Sequence, residues 1–357
     1  MEDAFPLANT WGSRFRGLLP IRPRGLLTLP ADLLTARRLA NRLRADTVGF
    51  RELHRLERTV SDLLVFQLEG KAMQPPLVVK HPRSSRAATS LALGCEAVRV
   101  LTRDDRLEEW RRLLPPVEAC RLQERLPLVA EGRLPGVEGD ALLRRSPGRT
   151  RLVAVSALRA VGDLHRATGR TESVTGRIRE WVDPQLSVLA EEIRWCREGR
   201  GAAATEALRE RLVRGLAGRT LTVAWTHGDF HPGNILLNEK HGTITGVIDW
   251  ANARPDGPCA IDSYIFVLTL RHQRGGRQLG RIVADVVRRG SLLPEDRRLL
   301  AEADVPPPDE DPDAAVLPLL TWLWHVAGNV AKSARYGRSH RWVAGNVMPV
   351  LQEVAGR

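Results

Sequence analysis

Lysine is scarce in this chain. Of 54 basic residues only Lys71, Lys80, Lys240 and Lys332 are lysine. The formal charge of +12 is therefore carried by arginines, which are dispersed rather than striped. That pattern fits a chain-wide use of Arg in place of Lys, and no nucleic-acid-binding motif accompanies it. Cysteine is equally sparse: Cys95, Cys120, Cys196 and Cys259 stand singly. With no CxxC and no Cys/His cluster, neither a zinc site nor a disulfide framework is indicated, and reduced thiols in a cytoplasm are the simple expectation. Residues 1–20 hold no continuous apolar stretch, so no leader is expected. The longest apolar run, 315–330, is interrupted by Pro318 and His325. It falls short of the roughly 20 residues that span a bilayer, and reads as a buried helix.

What is present is enough chain for two lobes sharing a cleft: 357 residues, 43% of them apolar. Residues 1–30 lack periodicity. Helical spacing starts at 31–45 with Leu33, Leu34, Leu39 and Leu43. Strand-like stretches follow at 50–60, 63–68 and 76–80, then a helix at 84–101 and two more strands at 117–123 and 127–130. After a break at 131–136 the pattern turns helical, over 152–167, 179–197 and 204–216. A non-helical island at 221–250 interrupts it, and helices resume from 261. The expected fold class is α+β and two-lobed. Residues 1–46 precede a β-rich N-lobe (47–131), and an α-rich C-lobe (132–357) carries a small β hairpin. A cleft between lobes is where a site is expected.

The segment richest in chemistry is Thr226-His227-Gly228-Asp229-Phe230-His231-Pro232-Gly233-Asn234, followed by Ile248-Asp249-Trp250. Phosphoryl transfer needs a carboxylate to orient the attacking hydroxyl and oxygen ligands for the Mg²⁺ that bridges the ATP phosphates. Asp229, Asn234 and Asp249 supply such oxygens. Pro232-Gly233 suits a tight loop, and a hairpin over 235–248 returns Asp249 towards Asn234.

His-Gly-Asp-x-His-x-x-Asn followed by Ile-Asp-Trp resembles the aminoglycoside phosphotransferase and choline-kinase group, related in fold to the eukaryotic protein kinases. The resemblance implies a protein kinase-like fold and Mg²⁺·ATP as cofactor. It implies Asp229 as catalytic base, Asn234 and Asp249 as metal ligands, and His227 and His231 as residues that shape the loop. It extends upstream in the expected order. Lys80, on an apolar strand, is the expected partner of the α/β-phosphates and of Glu96 on the next helix. Residues 128–136 resemble the interlobe hinge, with backbone groups at Ala130 and Gly132 expected to bind adenine. His165 is expected to be structural, and Asp262 to brace the catalytic loop.

The phosphate-binding turn departs from a glycine-rich pattern: residues 57–62 contain no glycine, and Ser61 is the candidate phosphate contact. Specific motifs extend over roughly 50–265, leaving the C-terminal helices without a match. The acidic stretch 304–313 offers carboxylates to a polycationic acceptor, or is simply solvated. The cluster Lys332, Arg335, Arg338, His340 and Arg341 suits a phosphate, a carboxylate or an acidic peptide, or equally is the solvated basic face of an ordinary amphipathic helix. The leading expectation is a kinase for a hydroxyl of a small molecule, such as a sugar, an aminoglycoside or another antibiotic-like alcohol. A Ser/Thr kinase for a peptide and a nucleotide-binding pseudokinase remain as alternatives.

Overall fold

The computed structural model describes residues 29–46, 51–59, 61–70, 75–305 and 313–356. Most of the irregular stretch expected at 1–30, Lys71, and most of the acidic stretch at 304–313 lie outside them.

Helix α1 (Leu29–Asp46) sets Ala36, Leu39, Ala40 and Leu43 on one stripe at helical spacing. That stripe covers one face of a five-stranded antiparallel sheet. Its strands are β1 (Arg51–Arg58), β2 (Leu63–Gly70), β3 (Leu77–Pro82), β4 (Val117–Arg121) and β5 (Leu128–Gly132), in the order β1-β2-β3-β5-β4. Phe66, Leu68, Leu77, Val79, Leu128 and Ala130 meet α1, because alternate residues of each strand point to the same face. On the other face, Leu91 and Cys95 of α2 (Ser85–Arg103) pack on Val129. Ser84 caps α2 by accepting from the Ala87 N–H at 3.2 Å. Gly94 lets this helix approach the chain beyond Asp249. A Cβ there would stand 3.2 Å from the Ala251 nitrogen.

Beyond β5 the chain runs through β6 (Val137–Glu138), α3 (Gly139–Arg145), α4 (Thr150–Thr168), β7 (Arg170–Ser173), α5 (Ile178–Glu192) and α6 (Gly199–Leu216). It continues through β8 (Thr220–Thr226), β9 (Ile235–Leu237), β10 (Ile244–Val247), β11 (Arg254–Pro258), α7 (Ala260–Gly275), α8 (Leu279–Arg289) and α9 (Pro294–Glu302). It closes with α10 (Val316–Lys332), α11 (Ala334–Arg338), α12 (His340–Asn346) and α13 (Met348–Ala355). The hairpin expected over 235–248 forms, with Leu237 opposite Ile244 and Ile235 opposite Val247, and β6 joins it as a third strand. A second small sheet, β11-β8-β7, brackets the loop between. Residues 227–234 thus enter from one anchored strand and leave into another.

Helix α10 is the apolar run of the sequence, buried on nearly every side. Trp322 is wholly enclosed and donates its indole N–H to the Asn346 carbonyl at 2.8 Å. Among the described residues no helix is long and apolar enough to cross a membrane. The single helix expected over 179–197 is instead broken. Ile193 is extended (φ −114°, ψ 105°), and the chain turns through Arg194–Cys196. The break lets Ile193 and Cys196 both enter the helical core.

Candidate active site

The catalytic loop is held from behind by one carboxylate. Asp262, fully buried near the start of α7, accepts the backbone N–H groups of His227 and Gly228, each at 2.8 Å. It also receives His165 Nε2 at 3.0 Å from α4. Burial alone would lower the His165 pKa, but the Asp262 contact and the nearby Cys259 thiol outweigh it and push the imidazole up to about 9. Gly228 is required at its turn: φ is +75°, and a Cβ would meet the Asn252 carbonyl oxygen at 2.3 Å.

His227 links the two halves of the motif. Its Nδ1 accepts the Asp229 N–H at 3.3 Å, and its Nε2 lies 2.9 Å from the Ile248 carbonyl. Those partners require a neutral ring protonated on Nε2, and burial lowers its pKa accordingly. His231 Nδ1 accepts the Gly233 N–H at 3.0 Å and caps the turn Pro232–Asn234. Asn234 donates its side-chain Nδ2 to the Asp229 carbonyl at 2.9 Å. Its Oδ1 has no hydrogen-bond partner among the described residues. The Ile248 N–H returns to the Asn234 carbonyl at 2.9 Å and ties the hairpin shut. Asp249 then adopts the left-handed conformation (φ 66°, ψ 63°), which Asp tolerates better than most residues, and which recurs at functional sites. Its carboxylate is 43% exposed and lines the cleft.

Asp229 is 5% exposed, and both of its carboxylate oxygens are anchored. His325 Nδ1 lies 3.2 Å from Oδ1 and Lys332 Nζ lies 3.2 Å from Oδ2, both from α10. His231 Nε2 stands 4.0 Å from Oδ1. Lys332 also reaches to 3.6 Å from Asp249 Oδ2. Burial opposes ionisation of Asp229, but the Lys332 ammonium and the His325 bond outweigh it and hold the carboxyl well below its usual range. Asp249 is lowered for similar reasons, with Lys332 and Lys80 outweighing burial. Lys332 itself is raised, because the two carboxylates outweigh its burial.

The structure corrects the expected partner of Lys80. Glu96 lies on the solvent face of α2, which buries Leu91, Cys95, Val98 and Leu101 instead. Lys80 Nζ contacts both carboxylate oxygens of Glu131, at 2.9 and 2.8 Å. The strand register explains why: Lys80 faces Val129 and Val78 faces Glu131, so Lys80 and Glu131 share one face as diagonal neighbours. Burial lowers the Lys80 pKa, but Glu131 and Asp249 more than restore it, and the ammonium persists.

Of the two residues expected to contact adenine, Ala130 falls outside the cleft and Gly132 lies on it. Ala130 sits mid-ladder between Val79 and Ala119, fully buried, and does not line the cleft. The Gly132 N–H is already committed to the Pro116 carbonyl at 2.8 Å. Gly132 nonetheless lines the cleft, together with Glu131 and residues 133–136. Ser61 also lines it, its hydroxyl 2.9 Å from that of Thr59. The neighbouring Asp62 takes a positive φ of 58° and pairs with Arg335 of α11 at 2.7 Å.

The cleft, of about 840 Å³, is bordered by β2, β3, the hinge, the catalytic loop and the helices α7, α10, α11 and α12. Among the described residues no group of three His, Cys, Asp or Glu side chains gathers as a metal site. The Asn234 Oδ1 and the cleft-facing Asp249 carboxylate are oxygen donors, and such a set suits Mg²⁺ that draws its remaining ligands from phosphates and water.

A helix-backed antiparallel sheet over a helical body, with loop carboxylates meeting where the two adjoin, is the architecture of the protein kinase-like phosphotransferases. The chain belongs to the phosphotransferase enzyme family named for the aminoglycoside phosphotransferases, whose family model matches residues 52–323. It is a kinase-type phosphotransferase acting on hydroxyl groups. No curated protein matches the sequence significantly. Among solved structures it is similar to an aminoglycoside 3′-phosphotransferase of type VIII: TM-score 0.56, 20% identity, 81% of this chain and 98% of that one. It is similar also to an ADP-bound aminoglycoside 2″-phosphotransferase Ib: TM-score 0.55, 15% identity, 89% of this chain and 97% of that one. A third is the aminoglycoside 3″-phosphotransferase Id of Streptomyces rimosus: TM-score 0.51, 19% identity, 82% of this chain and 98% of that one. At these identities the likeness is one of fold.

Proposed function

We propose that the protein transfers the γ-phosphoryl group of Mg²⁺·ATP to a hydroxyl of a small molecule, with Asp229 orienting that hydroxyl and taking its proton. The observation that carries this reading is the placement of Asp229: buried, fastened at both oxygens, and still lining the cleft beside Asn234 and Asp249. A carboxylate held this acidic is too weak a base to deprotonate a free alcohol. It serves by aligning the hydroxyl and receiving the proton late, as the phosphoryl group arrives. Asn234 and Asp249 would hold the metal, which when bound neutralises charge on the phosphate oxygens. Lys80, steadied by Glu131, would meet the α/β-phosphates, and Ser61 on the neighbouring turn would contact them. Lys332 supplies a fixed positive charge beside the transferring group. In this reading residues 47–131 form the nucleotide lobe and 132–357 the lobe that takes the acceptor.

Asp229→Asn preserves shape and removes the charge. Calorimetric ATP affinity is expected to stay within a few-fold, while transfer falls by about 10²–10⁴-fold, the usual range for a lost general base. Undiminished transfer by the variant refutes the assignment. The pseudokinase alternative draws on the glycine-free turn. It predicts ATP binding without transfer in the parent protein, so the same pair of measurements separates the two.

A further inference from the structure

We propose that the acceptor is an uncharged, partly apolar alcohol seated on Tyr336 and Trp342, and not a polycation. The inference rests on the reading of Asp229 as the group that meets the acceptor hydroxyl. It names the class of molecule that the adjoining wall can hold.

The wall opposite the nucleotide side comes from α7, α8, α10, α11 and α12. None of the cleft-lining side chains that these helices contribute is a carboxylate. Polycation recognition depends on clustered carboxylates, because each ammonium brought out of water needs a counter-charge. Here the one charged side chain of the wall is the Lys332 ammonium, 3.2 Å from the Asp229 oxygen where the hydroxyl must dock. A ligand amine beside the reacting hydroxyl meets that ammonium at close range, and like charges in a buried site repel strongly. The other carboxylates on the cleft lie on its sheet and hinge side, where Glu131 pairs with Lys80, Glu69 with Arg133, and Asp140 is also engaged. Gln273 donates to it at 2.5 Å, and Arg144 stands 4.0 Å away. Asp304 and Asp313, which flank the acidic stretch, do not line the cleft, and Asp313 pairs with Arg211 at 3.0 Å.

What the wall offers instead is neutral. Tyr336 and Trp342 meet edge to face with ring centroids 5.0 Å apart, beside the apolar side chains of Leu279 and Val326. Tyr336 is 8% exposed, and its hydroxyl has no hydrogen-bond partner among the described residues. Asn329 and Gln273 each use one end of the amide, on His325 and Asp140 respectively, and leave the other end uncommitted. A phenol and two half-used amides satisfy hydroxyl, ether or carbonyl groups without charge, while the aromatic pair takes an apolar face.

The test uses gentamicin as the polycation, its fully N-acetylated derivative as the same hydroxyl framework without charge, and neutral glycosides bearing an apolar aglycone. Transfer from ATP is measured with the whole protein at low ionic strength, where attraction to a polycation is greatest. Neutral glycosides should show kcat/KM at least about 100-fold above gentamicin, and acetylation should not lower gentamicin's turnover. Trp342→Ala should raise the neutral acceptor's KM by about 10-fold, the loss expected when one buried aromatic contact goes, with the ATP KM unchanged. A preference for gentamicin, or its loss on acetylation, overturns the proposal. An unchanged acceptor KM in Trp342→Ala removes the aromatic seat. Transfer to no probe of either charge, by a protein that binds ATP, refutes the transfer reading itself and is a distinct outcome from a preference for gentamicin.

Discussion

Lys332→Met is the most telling single perturbation of the site. The substitution keeps most of the side-chain volume and removes a buried ammonium lying 3.2 Å from Asp229 and 3.6 Å from Asp249. At an effective dielectric of about 20, each contact contributes on the order of 5 kcal/mol of gross attraction. Most of that is offset by the cost of burying the charges. The net loss on removing one member of such a cluster is about 3–5 kcal/mol, because the buried Asp229 carboxylate loses its nearest ammonium. The variant should therefore melt several degrees lower in metal-free buffer by calorimetry, with turnover reduced. Free Mg²⁺ supplies the missing positive charge, so millimolar Mg²⁺ without nucleotide should raise the variant's melting temperature more than the parent's. Lys332→Arg, which keeps a charge, should fall between them. A Met variant that melts with the parent and responds no more strongly to Mg²⁺ would falsify the charge-balancing role.

Two further outcomes follow from the same electrostatics. Glu131→Gln should weaken ATP binding by about 10-fold, the cost of about one charge-assisted hydrogen bond, while Glu96→Gln leaves calorimetric ATP affinity unchanged; equal effects would return Glu96 to the site. His165 gives a pH signature. Its folded pKa of about 9 lies above the ordinary 6.5, so the imidazolium contributes on the order of 3 kcal/mol that is fully present below the unfolded pKa and is lost as pH rises towards the folded one. Melting temperature should decline between pH 6.5 and 9 and decline less in His165→Gln. An identical pH slope in the two proteins counts against a charged His165.

The parts of the site that could be read in the sequence are those whose geometry is local. His227 to Asn234 closes through contacts between residues two to five apart, and the hairpin that returns Asp249 is a short-range pairing. Spacing alone carries such information. His325 and Lys332 reach Asp229 across 96 and 103 residues, and in the sequence they look like an interruption in an apolar run and one member of a basic cluster. A usable signal was present: His325, Asn329 and Lys332 recur at i, i+4 and i+7 on an otherwise apolar helix, the mark of one polar stripe facing a cavity. The Lys80 partner is hidden in the sequence for a different reason. Helical periodicity places Glu96 on α2, but only the packed register decides that Cys95 and Val98 turn inward and Glu96 outward. The diagonal from Lys80 to Glu131 exists only once β3 and β5 are paired. Ala130 follows the same logic, since a strand residue's place relative to the cleft is decided only once its neighbouring strands are paired.

The scarcity of lysine acquires a meaning at this point. In a chain that uses Arg almost everywhere, two of the four lysines, Lys80 and Lys332, line the cleft, while Lys240 is exposed on a turn. Arg balances carboxylates well at the surface, as Arg177 does for Glu172 and Asp256, because its planar fork suits side-by-side pairing. Under the proposed function the cleft would hold phosphates and a metal, which poses another problem. One compact charge has to sit 3.2 Å from one carboxylate and 3.6 Å from another without filling the space where the transferring group passes. An ammonium on a flexible stem meets that demand and a guanidinium does not. The choice of Lys at these positions is thus a size argument as much as a charge argument. It explains why Lys332, on a helix outside the sequence motif, belongs electrostatically to the same site as Asp229 and Asp249.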